Sequence, residues 1–105
     1  MSPLSQLHDD KLCGISRTLD ILGGKWTPLI IRDLLEGPRR FSELEHSLAG
    51  ISPRTLAGRL KELEQAGVVE RNCDNPAHPK YTLTKKGRSL SGIIELMRSW
   101  GEVTA

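Results

Sequence analysis

Little in this chain points to catalysis, to a metal centre or to a membrane. It holds two cysteines, Cys13 and Cys73, in no CxxC pair and no paired metal-ligand spacing. Its aromatics are two Trp, one Tyr and one Phe, so the core is expected to be mainly Leu, Ile and Val. No apolar run is long enough to cross a bilayer, and the N-terminus lacks the apolar h-region of a signal peptide. A cytoplasmic, reduced protein with no membrane partner is the expectation. No Gly-rich phosphate loop follows a strand, and no nucleophile and base stand in a motif, so neither an enzyme nor a cofactor is expected. His8, Asp9, Asp10 and Cys13 match no standard zinc pattern, so no metal site is expected. No internal repeat or low-complexity segment appears.

What is present is a segregated charge. The 105 residues make one domain with a modest core that dimerisation would support. The net charge of +2 is small, but its distribution is uneven. No Asp or Glu occurs from His46 to Lys61, nor from Asn75 to Ile94. Those windows hold Arg54, Arg59, Lys61, Lys80, Lys85, Lys86 and Arg88. Acids gather at Asp9, Asp10, Asp20 and from Glu62 to Glu70. Such segregation is the electrostatic footprint of a phosphate-binding surface.

The chain is organised around Gly50–Gly67, which reads as one helix with both ends marked. Ser52 stands at the N-cap, where its hydroxyl can accept a free backbone N–H. Pro53 follows at the first helical position, where its missing N–H is no loss. Gly67 suits the left-handed residue that stops a helix. Leu56, Leu60 and Leu63 form one stripe. Arg54, Gly58, Lys61 and Gln65 project from the opposite face, with Thr55 beside them. A glycine inside a helix costs about 1 kcal/mol against Ala, so Gly58 suggests that another molecule comes close.

The flanking elements follow from similar signals. Residues 1–12 are polar and read as a flexible N-terminal segment, leaving 13–105 as the folded domain. Ile15, Leu19 and Leu22 give a first helix ended by Gly23-Gly24. Trp26 is expected to anchor the core. Thr27-Pro28 reads as the cap and start of a second helix with Leu29, Ile30, Leu34 and Leu35 buried. A third helix begins near Arg40-Phe41, with Phe41, Leu44 and Leu48 inward. With the Gly50–Gly67 helix it makes a helix-turn-helix. Val68–Arg71 and Tyr81–Leu83 read as a hairpin whose exposed tip carries His78 and Lys80. Thr84 is expected to cap one long last helix with the stripe Leu90, Ile93, Ile94, Met97 and Trp100. With little to cover in its own subunit, that stripe suggests a dimer seam; packing onto the first helix of the same chain is the alternative. The fold class is therefore α+β, mainly α: a winged helix-turn-helix with N- and C-terminal dimerisation helices.

Cys13, Leu19, Gly23-Gly24-Lys25-Trp26, Arg40-Phe41, Glu43-Leu44, Gly50-Ile51-Ser52, Leu56, Arg59-Leu60-Lys61-Glu62-Leu63-Glu64, Gly67, Tyr81-Thr82-Leu83-Thr84, Gly87 and Trp100 occur in that order. In this the chain resembles the HxlR-type transcriptional regulators, winged-helix relatives of the MarR group. One departure is Gly14, where the family often has Pro after the N-terminal Cys. The resemblance implies a cytoplasmic, dimeric, DNA-binding regulator whose dimer is formed by the first and last helices. It also implies that some members sense oxidants or electrophiles through the N-terminal cysteine.

The expected partners are double-stranded DNA, a second copy of the chain, and an oxidant or small-molecule effector. Arg54 is expected to bond a guanine edge with its fork. Ser52 and Thr55 are candidates for phosphate or base contacts, and Gly58 for close approach. Lys61 belongs to the same basic face; Arg59 lies nearer the packed stripe, as a phosphate contact or a brace. Arg40, His78 and Lys80 are expected on the backbone or minor groove. Leu19, Leu90, Ile93, Ile94, Met97 and Trp100 are the candidate dimer residues. Cys13 is either an inert small hydrophobe or a redox sensor favoured by the helix dipole; Cys73 is the weaker candidate. The alternatives are a ligand-gated switch, with an effector pocket between the last helix and the DNA-binding core, and a winged helix used for protein contacts alone.

Overall fold

The computed structural model describes residues 13–105; the segment 1–12, with His8, Asp9 and Asp10, lies outside the described residues. The chain runs α1 (Gly14–Leu22), α2 (Thr27–Leu35), β1 (Arg39–Arg40), α3 (Phe41–Ser47), α4 (Pro53–Gln65), β2 (Val69–Asn72), β3 (Lys80–Leu83), α5 (Lys85–Arg88) and α6 (Ser91–Thr104). This is a winged helix-turn-helix, mainly α.

The Gly50–Gly67 stretch folds as its end signals dictate. Ser52 Oγ accepts from the Thr55 N–H at 3.0 Å, and Pro53 opens α4. At the other end Gly67 takes φ +75°. Its N–H bonds the Glu64 carbonyl at 3.0 Å, and the Val68 N–H reaches back to Leu63 at 2.9 Å. Those two bonds satisfy carbonyls that a helix end leaves free. Leu56, Leu60 and Leu63 are buried, as their stripe requires. They join Ile30, Ile31, Leu44 and Val68 in a single aliphatic core.

The sheet has three strands, in the order β1-β3-β2, all antiparallel. The sequence signals gave only two. Arg39 and Arg40 pair with Tyr81 and Lys80, and a two-residue strand of arginines carries no hydrophobic alternation to announce it. Lys80 is consequently not at the wing tip. It sits half-buried in the central strand, between Arg40 and Asn72.

Two cap expectations are corrected. Thr27 is not an N-cap; it is the first residue of α2 and is buried, while Trp26 holds the cap position without a side-chain bond. Trp26 itself is partly buried against the core, with Lys25 Nζ 4.8 Å from its ring centre. Thr84 does cap a helix, accepting from Gly87 N at 3.0 Å, but that helix is the short α5. The chain then turns at Ser89-Leu90 because the Leu90 N–H bonds the Gly87 carbonyl, three residues back. The Lys86 carbonyl accepts instead from Ser89, through both its Oγ and its N–H.

That turn corrects the dimer stripe. Leu90 and Ile94 are buried in the subunit's own core, where α6 packs on α2. Ile93, Met97 and Trp100 remain exposed, joined by Leu96 and Val103. On α1, Leu22 is buried while Ile15 and Leu19 are exposed.

Candidate nucleic-acid interface

The outward face of α4 is held rigidly from below by three leucines. Above them Arg54, Gly58 and Lys61 are exposed, and Thr55 is half-buried. Ser52 Oγ, besides capping the helix, donates to Thr55 Oγ1 at 2.8 Å. The two hydroxyls are thus oriented by each other, and a lone pair of Ser52 is already committed to the cap. A β-carbon at Gly58 would meet nothing within 4 Å. Internal packing therefore gives no reason for glycine there.

The cations of α4 separate into two sets. Arg54 and Lys61 have no acid within ion-pairing distance among the described residues, so their charge is available to a ligand. Arg59 is different. It pairs with Glu62 at 2.9 Å, and with Asp20, Ile21, Gly23 and Gly24 it lines a recess between α4 and the end of α1. Its bond is thus within α4, on the side that faces the end of α1.

Other basic residues of the acid-free windows also have structural duties. Lys86 Nζ donates to the Ala66 carbonyl at 2.8 Å, at the C-terminus of α4, where a cation is favourable. Arg88 donates to the Leu83 carbonyl at 2.9 Å. Charge counting alone could not separate these from free cations.

On the wing, His78 is exposed in the loop 73–79. Arg40 is not free beside it: its guanidinium donates to the His78 carbonyl and stands 3.9 Å from Asp74 Oδ1. Tyr81, buried at the centre of the sheet, has its phenol pushed above its ordinary 10.0 by burial, and further by Glu64.

Cys13 occupies the N-cap position of α1, half-buried, with its carbonyl accepting from Arg17 N at 2.9 Å. Cys73 is exposed at the end of β2. A cleft of about 540 Å³ lies between α2 and α6, floored by Leu29, Ile94 and Met97. Its rim carries both signs, Arg32 and Arg98 with Glu36 and Glu102. Leu96 and Val103 were missed as exposed apolar residues; with Ile93 and Trp100 they repeat every three or four positions along α6, which was the available signal.

The sequence profile described as HxlR-like helix-turn-helix matches residues 21–105. The chain belongs to the HxlR family. Members of this family are transcriptional regulators, and this chain is a regulator rather than an enzyme. The HTH-type transcriptional regulator YodB of Bacillus subtilis (strain 168) is 43% identical over 84 residues, which cover 78% of this chain and 75% of YodB. The redox regulator HypR in its oxidized form matches with a TM-score of 0.82 at 35% identity, over 89% of this chain and 98% of HypR. Quinone-bound YodB matches with a TM-score of 0.73 at 40% identity, over 84% and 94% of the two chains. Among the described residues, no helix of this HxlR-family chain is long and apolar enough to cross a membrane.

Proposed function

We propose that this HxlR-family regulator binds duplex DNA as a homodimer on a near-palindromic operator and responds to oxidants or electrophiles through Cys13. The observation that carries the reading is the outward face of α4. It offers Arg54 and Lys61 without acid partners among the described residues, two oriented hydroxyls and a helical glycine over open space.

In this reading α4 enters the major groove, led by its N-terminal turn. Arg54 bonds a guanine edge, Ser52 and Thr55 meet phosphate or base, and Lys61 neutralises phosphate. His78 reaches the backbone or minor groove from the wing. Exposed Ile15 and Leu19 on α1, with Ile93, Leu96, Met97 and Trp100 on α6, form the dimer surface. The two recognition helices then address half-sites about 34–36 Å apart. Leu90 and Ile94 are not part of that surface.

Cys13 stands half-buried at the N-cap position of α1. α1 also carries part of the dimer surface, so a modified Cys13 would alter how the two recognition helices are spaced. The similar redox regulator HypR, solved in its oxidized form, and YodB, solved quinone-bound, support an oxidant- or electrophile-responsive regulator. The α2–α6 cleft supports a second reading, in which a small effector acts there.

Fluorescence anisotropy on duplex DNA from upstream of the protein's own gene, across a salt series, tests both parts. Wild type and Cys13→Ser are compared with reductant and with a mild thiol oxidant. Salt-dependent, sequence-preferring binding that oxidant abolishes only when Cys13 is present is the expected result. Binding that survives oxidation would move the signal to the cleft, and no binding to any duplex at low salt would remove the DNA reading.

A further inference from the structure

The wing loop is folded by its own short-range bonds. Asn72 Oδ1 accepts from Asp74 N at 3.0 Å, and Asp74 Oδ1 from Asn75 N at 2.8 Å. Asn75 Oδ1 accepts from Ala77 N at 3.2 Å, and its carbonyl from His78 N at 2.9 Å. Such Asx-type bonds make the loop a unit. They do not decide where that unit points.

Its aim comes from Arg40. Its Nη1 donates to the His78 carbonyl and lies in ion-pair range of Asp74 Oδ1, at 3.9 Å, so one nitrogen stands beside both sides of the loop. Arg40 is itself fixed at two points. Its backbone N–H donates to Glu43 Oε1 at 2.7 Å at the start of α3, and it pairs with Lys80 across the β1–β3 ladder. A residue anchored to the helix-turn-helix thus grips the tip of the wing. Arg40, Phe41 and Ser42 face Ala77, His78 and Pro79 across one recess, which is where that grip closes.

Both contacts fall to one guanidinium nitrogen, Nη1, which bonds the His78 carbonyl and lies in ion-pair range of Asp74; the planar guanidinium fixes the direction of that nitrogen, whereas an ammonium is a point charge on a flexible stem. The role therefore suits Arg specifically. A loop held in place beforehand need not be ordered when its ligand arrives.

Resting on the DNA reading above, we propose that Arg40 is a positioning residue. It clasps the wing loop to α3, so that His78 meets the DNA backbone from a preset place, and it acts through the wing rather than by bonding phosphate.

The test uses the full chain as wild type, Arg40→Lys and Arg40→Ala, each checked for an unchanged fold by circular dichroism. Without DNA, the heteronuclear ¹⁵N NOE is read at the amides of Asp74, Asn75, Ala77 and His78. With DNA, affinity is read by anisotropy at fixed salt and across a salt series. The clasp predicts loosened wing amides in both variants, and about tenfold weaker binding in both, with the Lys charge giving no rescue. Wing amides as rigid as wild type in either variant would overturn it. So would wild-type affinity in Arg40→Lys, which would make Arg40 a plain phosphate cation. If wild type binds no duplex at all, the DNA reading falls, and the amide comparison alone still decides whether Arg40 holds the loop.

Discussion

The carbonyl oxygen of Val68 occupies the space that a β-carbon on Gly87 would need, and Leu83 Cδ2 stands 2.9 Å from the same point. Gly87 is buried, and its N–H is bonded by Thr84 Oγ1, which in turn donates to the Gly67 carbonyl at 2.6 Å. The end of α4, the end of β3 and the start of α5 meet at this point. Gly87→Ala should destabilise the fold by about 1–3 kcal/mol, the usual range for overpacking. Urea unfolding checks this; an unchanged midpoint would mean that Val68 moves aside freely.

Gly58 is the opposite case, since a β-carbon there meets nothing. Gly58→Ala should stabilise the free protein by about 1 kcal/mol, seen as a rise in Tm. The same methyl stands between α4 and the proposed groove, so DNA affinity should fall while stability rises. A variant that is both more stable and equally tight on DNA would remove the close-approach role.

Tyr81 gives a pH signature. Its phenol pKa is raised above 10.0, chiefly by burial, so the native state holds the proton more tightly than the unfolded chain. The stability this supplies is fully present below pH 10 and is lost as pH rises through the higher native value. Wild type should therefore lose stability more steeply above pH 10 than Tyr81→Phe, measured by urea midpoints. Parallel curves would contradict this.

Leu96 is 72% exposed on α6, so a charge there is tolerated by the monomer and not by an apolar seam. Leu96→Glu should leave the circular dichroism spectrum unchanged and shift the protein to a monomer in sedimentation velocity. A dimer that persists would place the seam elsewhere.

Much of this architecture was legible because the informative signals are local. Ser52, Pro53 and Gly67 mark the ends of α4 by their own backbone chemistry, and Leu56, Leu60 and Leu63 mark its buried side. What escaped depends on tertiary neighbours. Arg39-Arg40 becomes a strand because β3 lies beside it, not because of its side chains. Leu90 and Ile94 share a stripe with Met97 and Trp100, yet the Ser89-Leu90 turn sends them into the core. Arg40 and Arg54 read as DNA-facing cations, and Arg59 as either a phosphate contact or a brace. Their partners, the His78 carbonyl for Arg40 and Glu62 for Arg59, set these two apart from Arg54, which has no acid partner among the described residues.

In the proposed DNA reading, Arg54 is the base-reading one of the two α4 cations without an acid partner among the described residues. The direct measurement is anisotropy at fixed salt with wild type, Arg54→Ala and Arg59→Ala, on the operator and on its single-base variants. Arg54→Ala should lose about 1–3 kcal/mol of discrimination at one base pair, while Arg59→Ala, which loses a contact on the far side of the helix, should keep the wild-type base preferences. Unchanged base preferences in Arg54→Ala, or a lost preference in Arg59→Ala, would contradict the account.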